Sequence, residues 1–139
     1  MEGDVRTDPI LRLWVEEANA GGANETVTLW VAGTIVTGTL AAAYEYLEDL
    51  AASWSKAPGG EKLAANYSAL ALQEKERVDL LGGERDDLPA SYIHLRNAKV
   101  LPAGANTPSS GDGSSWRGRL DRVDGFSFGR YPLPPDSRE

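Results

Sequence analysis

The sequence predicts an α+β fold: a small, strongly bent antiparallel sheet, with an N-terminal helix ahead of it and a helical insertion between its second and third strands. Three observations point there. Apolar and polar residues alternate around 27–31, 93–95 and 126–128, the period of a half-buried strand. Apolar residues recur every three or four positions over 10–18, 44–54 and 63–71, the period of an amphipathic helix. The chain has 139 residues, 41% of them hydrophobic, which is enough to bury one core and too few for a second large domain. A single domain is expected over 1–131, with a flexible tail at 132–139.

The first helix is expected at 8–22. Asp8 has the side chain of an N-cap, Pro9 suits the first turn, Ile10, Leu11, Trp14, Val15 and Ala18 form the apolar stripe, and Gly21-Gly22 stop it. A hairpin follows at 25–40. Val27, Leu29 and Val31 alternate with Thr26, Thr28 and Trp30, Ala32-Gly33 makes the turn, and Gly38 in the returning arm marks a bend or a close backbone approach. The insertion, 43–82, reads as two helices. Tyr44, Leu47, Ala51 and Trp54 face inward on the first, Lys56 to Gly60 form a hinge, and Leu63, Tyr67, Leu70 and Ala71 line the second.

After a polar loop at 82–89, the C-terminal strands occupy 91–131. Ile93 and Leu95 point inward on the third strand, and Pro102 to Ser115 form a flexible Gly/Ser/Pro loop. Trp116 to Val123 make the fourth strand, with Trp116, Gly118 and Leu120 on one face. Asp124-Gly125 then carries the strongest two-residue hairpin signal in the chain, returning Phe126 to Tyr131 as the fifth strand. Pro132, Pro134 and Pro135 end the pairing.

Several chemistries drop out. With no cysteine there is no disulfide framework, thiolate nucleophile or Cys-ligated zinc, and a single histidine excludes a multi-His metal site. No cofactor, metal or catalytic residue is expected. His94 is the one side chain suited to general base work near neutral pH, and no Ser or Cys nucleophile motif accompanies it. Asp121 and Asp124 are accounted for by neighbouring arginines and by the hairpin turn, and the glycines match neither a P-loop nor a dinucleotide fingerprint. No apolar run approaches a membrane span, and the first residues lack the basic start and apolar run of a signal peptide, so a cytoplasmic location is expected.

The net charge of −7 argues against a general nucleic-acid binder, yet it hides a split. Residues 1–90 carry a net −9 and residues 91–131 a net +3. Opposite faces of that kind favour contacts between copies.

The segments Tyr92-Ile-His-Leu-Arg-Asn-Ala-Lys-Val100 and Trp116-Arg-Gly-Arg-Leu-Asp-Arg-Val-Asp-Gly-Phe-Ser-Phe-Gly-Arg130 closely resemble the gas vesicle accessory protein GvpU family. Val27 to Leu40 followed by Tyr44-Glu-Tyr46 is similar to that family's first hairpin and helix. The resemblance implies a non-enzymatic cytoplasmic protein that associates with the gas vesicle shell or other gas vesicle proteins. It also implies a homo-oligomer that promotes vesicle clustering. Carried over by position, Ile93, Leu95, Asn97, Lys99, Trp116, Gly118, Val123, Asp124, Gly125, Phe126 and Gly129, with Gly38, are mostly structural. The contact residues are expected to be His94, Arg96, Arg117, Arg119 and Arg130, which the alternation leaves outside the core. The chain departs from members with a basic, Ser/Lys-rich tail by ending in Pro132-Leu-Pro-Pro-Asp-Ser-Arg-Glu139. In architecture it is also similar to an Sm-like or SH3-like barrel, which implies as the alternative an Sm-like RNA-binding or scaffold protein.

Overall fold

The computed structural model describes residues 7–21, 24–82, 90–102 and 114–131. Gly22, the loop at 83–89, most of the expected loop at 102–115 and the tail at 132–139 lie outside the described residues.

Asp8 opens α1 (Pro9–Asn19), its carboxylate accepting from the backbone N–H groups of Ile10 at 2.8 Å and Leu11 at 3.4 Å. These donors have no carbonyl one turn back, so the side chain takes that place. Leu11, Val15 and Ala18 are buried, whereas Ile10 is 59% exposed because it sits off that line on the helix surface.

β1 (Thr26–Val31) and β2 (Thr34–Ala41) form the expected hairpin, with Ala32 and Gly33 both at positive φ, 51° and 82°. Such a turn matches the twist of the two strands it joins. With β3 (Tyr92–Leu101), β4 (Ser114–Arg119) and β5 (Gly125–Phe128), they build one antiparallel sheet in the order β4-β3-β2-β1-β5. The fold class is therefore α+β. The sheet is not closed: β4 and β5 are its two edges, so the likeness to an Sm-like barrel stops short of a barrel.

The expected second hairpin is replaced by a crossover. The fourth strand ends at Arg119, not Val123, and passes into a 3-10 turn, Leu120–Arg122, that drops Leu120 into the core. β5 then crosses to the far edge and pairs with β1, from Val27 opposite Phe128 to Trp30 opposite Gly125. Asp124 directs the crossing. Its N–H donates to the Trp30 carbonyl at 2.8 Å, and its carboxylate accepts from the Ala32 N–H at 2.9 Å, so it braces the first hairpin's turn and makes none of its own. Gly125 does not take a positive φ. Gly129 does, at 102°, and it ends β5 three residues short of the expected Tyr131.

One face of the sheet meets α1. Val27, Leu29, Val36, Leu40, Ile93 and Leu95 pack there with Leu11, Val15 and Leu120. At Gly38 the chains come close: an added Cβ would lie 3.0 Å from both Ala98 Cα and the Arg96 carbonyl oxygen. The β2–β3 register shifts at that point, between Thr37 and Thr39, and Asn97 takes φ 53°. An extra residue on β3 and a side-chain-free partner on β2 thus bend the sheet together.

The insertion is α2 (Ala43–Ser55) and α3 (Glu61–Leu81). The Asn19 side-chain Oδ1 accepts from the Ala43 N–H at 3.0 Å and ties the start of α2 to the end of α1. α2 leans on β3 and β4, whereas α3 packs chiefly on α2. α3 turns its small residues, Ala64 and Ala71, toward that contact, and leaves Leu63 and Leu70 more than 40% exposed. The apolar face expected of α3 is therefore rotated, because alanines let two helices approach more closely than leucines do. Trp54, expected to face inward on α2, is 38% exposed. No helix among the described residues is long and apolar enough to cross a membrane.

A candidate interaction surface around His94 and Arg117

Tyr92, His94 and Arg96 alternate with Ile93 and Leu95, so they point away from α1 and toward the side that α2 covers. The ladder sets His94 opposite Arg117 and Tyr92 opposite Arg119. His94 was expected outside the core and is instead buried, 6% exposed. Period-two alternation identifies the face of a strand, not what lies over it, and here a second layer does.

The imidazole sits 5.0 Å from the Tyr46 ring of α2, centroid to centroid. Its Nε2 accepts from Arg117 Nε at 3.1 Å, which places the proton of the neutral ring on Nδ1. Burial, and after it the positive charge of Arg117, lowers the His94 pKa from 6.5 to about 4. At neutral pH the lone pair a general base needs is already engaged by a guanidinium.

Arg117 is held twice. Its Nε is on His94, and its guanidinium carbon lies 3.8 Å from the Tyr92 ring centroid. Arg96, also expected as a contact residue, is paired within the molecule, with its side chain 40% exposed. It bonds both Asp49 carboxylate oxygens, at 2.9 and 3.0 Å, and Glu45 at 3.3 Å; the hydrogen bond to Asp49 raises its pKa. Glu45 also accepts the Ala42 N–H at 2.8 Å, joining the start of α2 to the same network. Arg119 Nη2 donates to Asp121 at 2.8 Å. Arg130 is exposed and follows β5, at the opposite edge of the sheet from β4. Of the five expected contact residues, His94, Arg96 and Arg117 gather beside α2, Arg119 adjoins them, and Arg130 stands apart.

The motif residues take the following places in the fold. A Cβ at Gly118 would fall 2.3 Å from the Trp116 indole, so the glycine lets that ring lie across the strand toward the core. Within Trp116-Arg117-Gly118, the outer two face α1 and the arginine faces α2. Val123 is buried, Asn97 serves the bulge, and Lys99 lies opposite Thr37 in the ladder. Phe126 packs on the core, and Phe128, 47% exposed, meets Trp14 edge-on at 5.0 Å.

Sequence reasoning missed a cleft of about 590 Å³ between α2, α3 and the sheet, lined in part by Tyr46, Leu47, Tyr67, Leu70, His94 and Arg117. The sequence puts Tyr67 and Leu70 on one side of α3, and only the placement of α3 over α2 turns that side toward the hollow.

No curated protein and no solved structure matches the chain. A family described as Gas vesicle protein GvpU-like matches residues 8–131, from the cap of α1 to the residue that follows Arg130, including the whole helical insertion. The chain belongs to the GvpU-like family of gas vesicle proteins.

Proposed function

We propose that the protein is a non-enzymatic gas vesicle accessory factor that organises vesicles into clusters, in the cytoplasm, by touching the vesicle shell and other copies of itself. The family match over 8–131 carries this reading. The charge distribution supports it. Acidic groups such as Glu48, Glu76 and Asp79 line exposed positions of the helical pair, while Arg122, its side chain 68% exposed, and Arg130 lie on the sheet half. The Arg96–Asp49–Glu45 network consumes part of this opposition internally; Arg122, 3.9 Å from Asp121 yet largely exposed, and Arg130 are the cations proposed to meet another copy.

Purified protein is expected to float with isolated gas vesicles and to aggregate them, with aggregation weakening as salt rises. Protein that stays behind while vesicles float, at every salt concentration, overturns the reading. The double variant Arg122→Glu, Arg130→Glu is expected to float and to cluster less. The RNA-binding alternative draws less support, since Trp116 and Phe126 turn toward the core and Arg96 is already paired.

A further inference from the structure

The cleft beside α2 and α3 belongs to neither packing layer, and its volume of about 590 Å³ is in the range of sites that hold a ligand or a short peptide segment. Its walls are apolar: Leu47 and Leu50 on α2, Tyr67 and Leu70 on α3, with Tyr46 between them and the sheet. Arg77 and Glu74, at 2.6 Å, offset each other's charge at its α3 side. On the sheet side stands Arg117.

That guanidinium is unlike its neighbours. Arg96 and Arg119 each hold a carboxylate, whereas the two groups that hold Arg117, a neutral imidazole and an aromatic ring, supply no negative charge. Both contacts use Nε and the flat face of the group. The outer fork of two terminal nitrogens is the part that suits a carboxylate, and the side-chain freedom normally lost on binding has already been given up.

We propose that this cleft takes an apolar peptide segment of a partner protein bearing a carboxylate. The carboxylate sits on the terminal nitrogens of Arg117, and the apolar side chains lie against Leu47, Leu50, Tyr67 and Leu70. A cation on the sheet side of an apolar cleft lined by two helices fits the groove mode of peptide recognition, in which apolar side chains anchor the segment and a charge pair fixes its register. The inference deepens the accessory reading by stating the chemistry of a partner, and it rests on that reading only for the partner being a protein.

The test is fluorescence anisotropy with the full chain at low salt. The probe is a fluorescein-labelled, end-capped peptide of repeated Leu-Leu-Asp; its twin is repeated Leu-Leu-Asn. The Asp peptide is expected to bind on the order of tenfold more tightly than the Asn peptide, as a charge-assisted pair implies. Arg117→Gln erases that difference, and Arg117→Lys, which keeps the charge without the fork, restores part of it. Leu70→Asp at the half-exposed wall weakens both peptides while leaving the melting temperature near that of the parent. Equal binding of the two peptides, undiminished binding by Arg117→Gln or by Leu70→Asp, or no binding to the parent protein overturns the proposal. Because no vesicle is present, failure here leaves the co-flotation result untouched, and the reverse also holds.

Discussion

Arg117 donates to His94 across the β3–β4 ladder at 3.1 Å and so decides which nitrogen of a buried imidazole carries the proton. The same donor, with burial, opposes protonation. The folded pKa of His94 is about 4 against 6.5 in the unfolded chain, so the unfolded chain binds more protons throughout that interval. Stability from this group is full above pH 6.5, falls as pH drops toward 4, and changes little below. The loss is about 3 kcal/mol. His94 is not the one ionisable group in the chain, so the comparison needs a variant. His94→Gln keeps an acceptor for Arg117 without the titration. Urea unfolding near pH 7 and near pH 4 is expected to give a smaller difference for the variant, and equal differences would contradict this account.

Gly118 and Gly125 fall in one motif and are expected to behave differently. A methyl at Gly118 collides with the Trp116 ring at 2.3 Å and forces it from the core, at a cost of about 1–3 kcal/mol. A methyl at Gly125 meets nothing within 4 Å and no positive φ, so Gly125→Ala is near neutral. Denaturant melts of the two variants, with indole fluorescence as the probe, check both. A large loss from Gly125→Ala would restore the hairpin that the crossover replaces.

Ala32 holds φ 51° in the first hairpin turn, a conformation that costs a residue with a Cβ. Ala32→Asn converts the pair to Asn-Gly, the favoured sequence for that turn, and is expected to stabilise by about 0.5–1 kcal/mol. The Asp124 bond is to the backbone N–H of residue 32 and survives the change. Thermal melting is expected to shift upward by a few degrees.

The two-bond contact between Arg96 and Asp49 is expected to have a coupling energy of about 1 kcal/mol in a double-mutant cycle of Arg96→Gln and Asp49→Asn, the upper part of the range for partly exposed pairs. Raising salt lowers it. A coupling that is nil at low salt would mean that α2 is held over β3 by its apolar contacts alone.

Much of this architecture was legible because local rules set it: Asp8 caps where an aspartate before proline should, and Ala32-Gly33 turns where two alternating runs meet. Asp124-Gly125 misled because a turn signal reports local preference, whereas the Asp124 carboxylate finds its partner 92 residues away in the first hairpin. His94 misled for a related reason. Its strand position was right, but only the placement of α2 determines that the polar face is covered, and no periodicity within residues 91–101 encodes a helix that lies elsewhere in the chain. The cleft was invisible because Ala64 and Ala71, not the leucines, direct α3 onto α2.

The seam between β1 and β5 also has a history in time. Thr28 donates to the carbonyl of Gly129, 101 residues later, and closing a loop of that size costs about 4 kcal/mol in chain entropy before any contact repays it. At translation rates of roughly 5–20 residues per second, the outer edge of β1 waits several seconds for its partner to emerge. During that interval Val27 to Val31 is a newborn strand with one side bare, and a neighbouring nascent chain presenting the same edge is its natural competitor. The last strand made is therefore also the guard of the first.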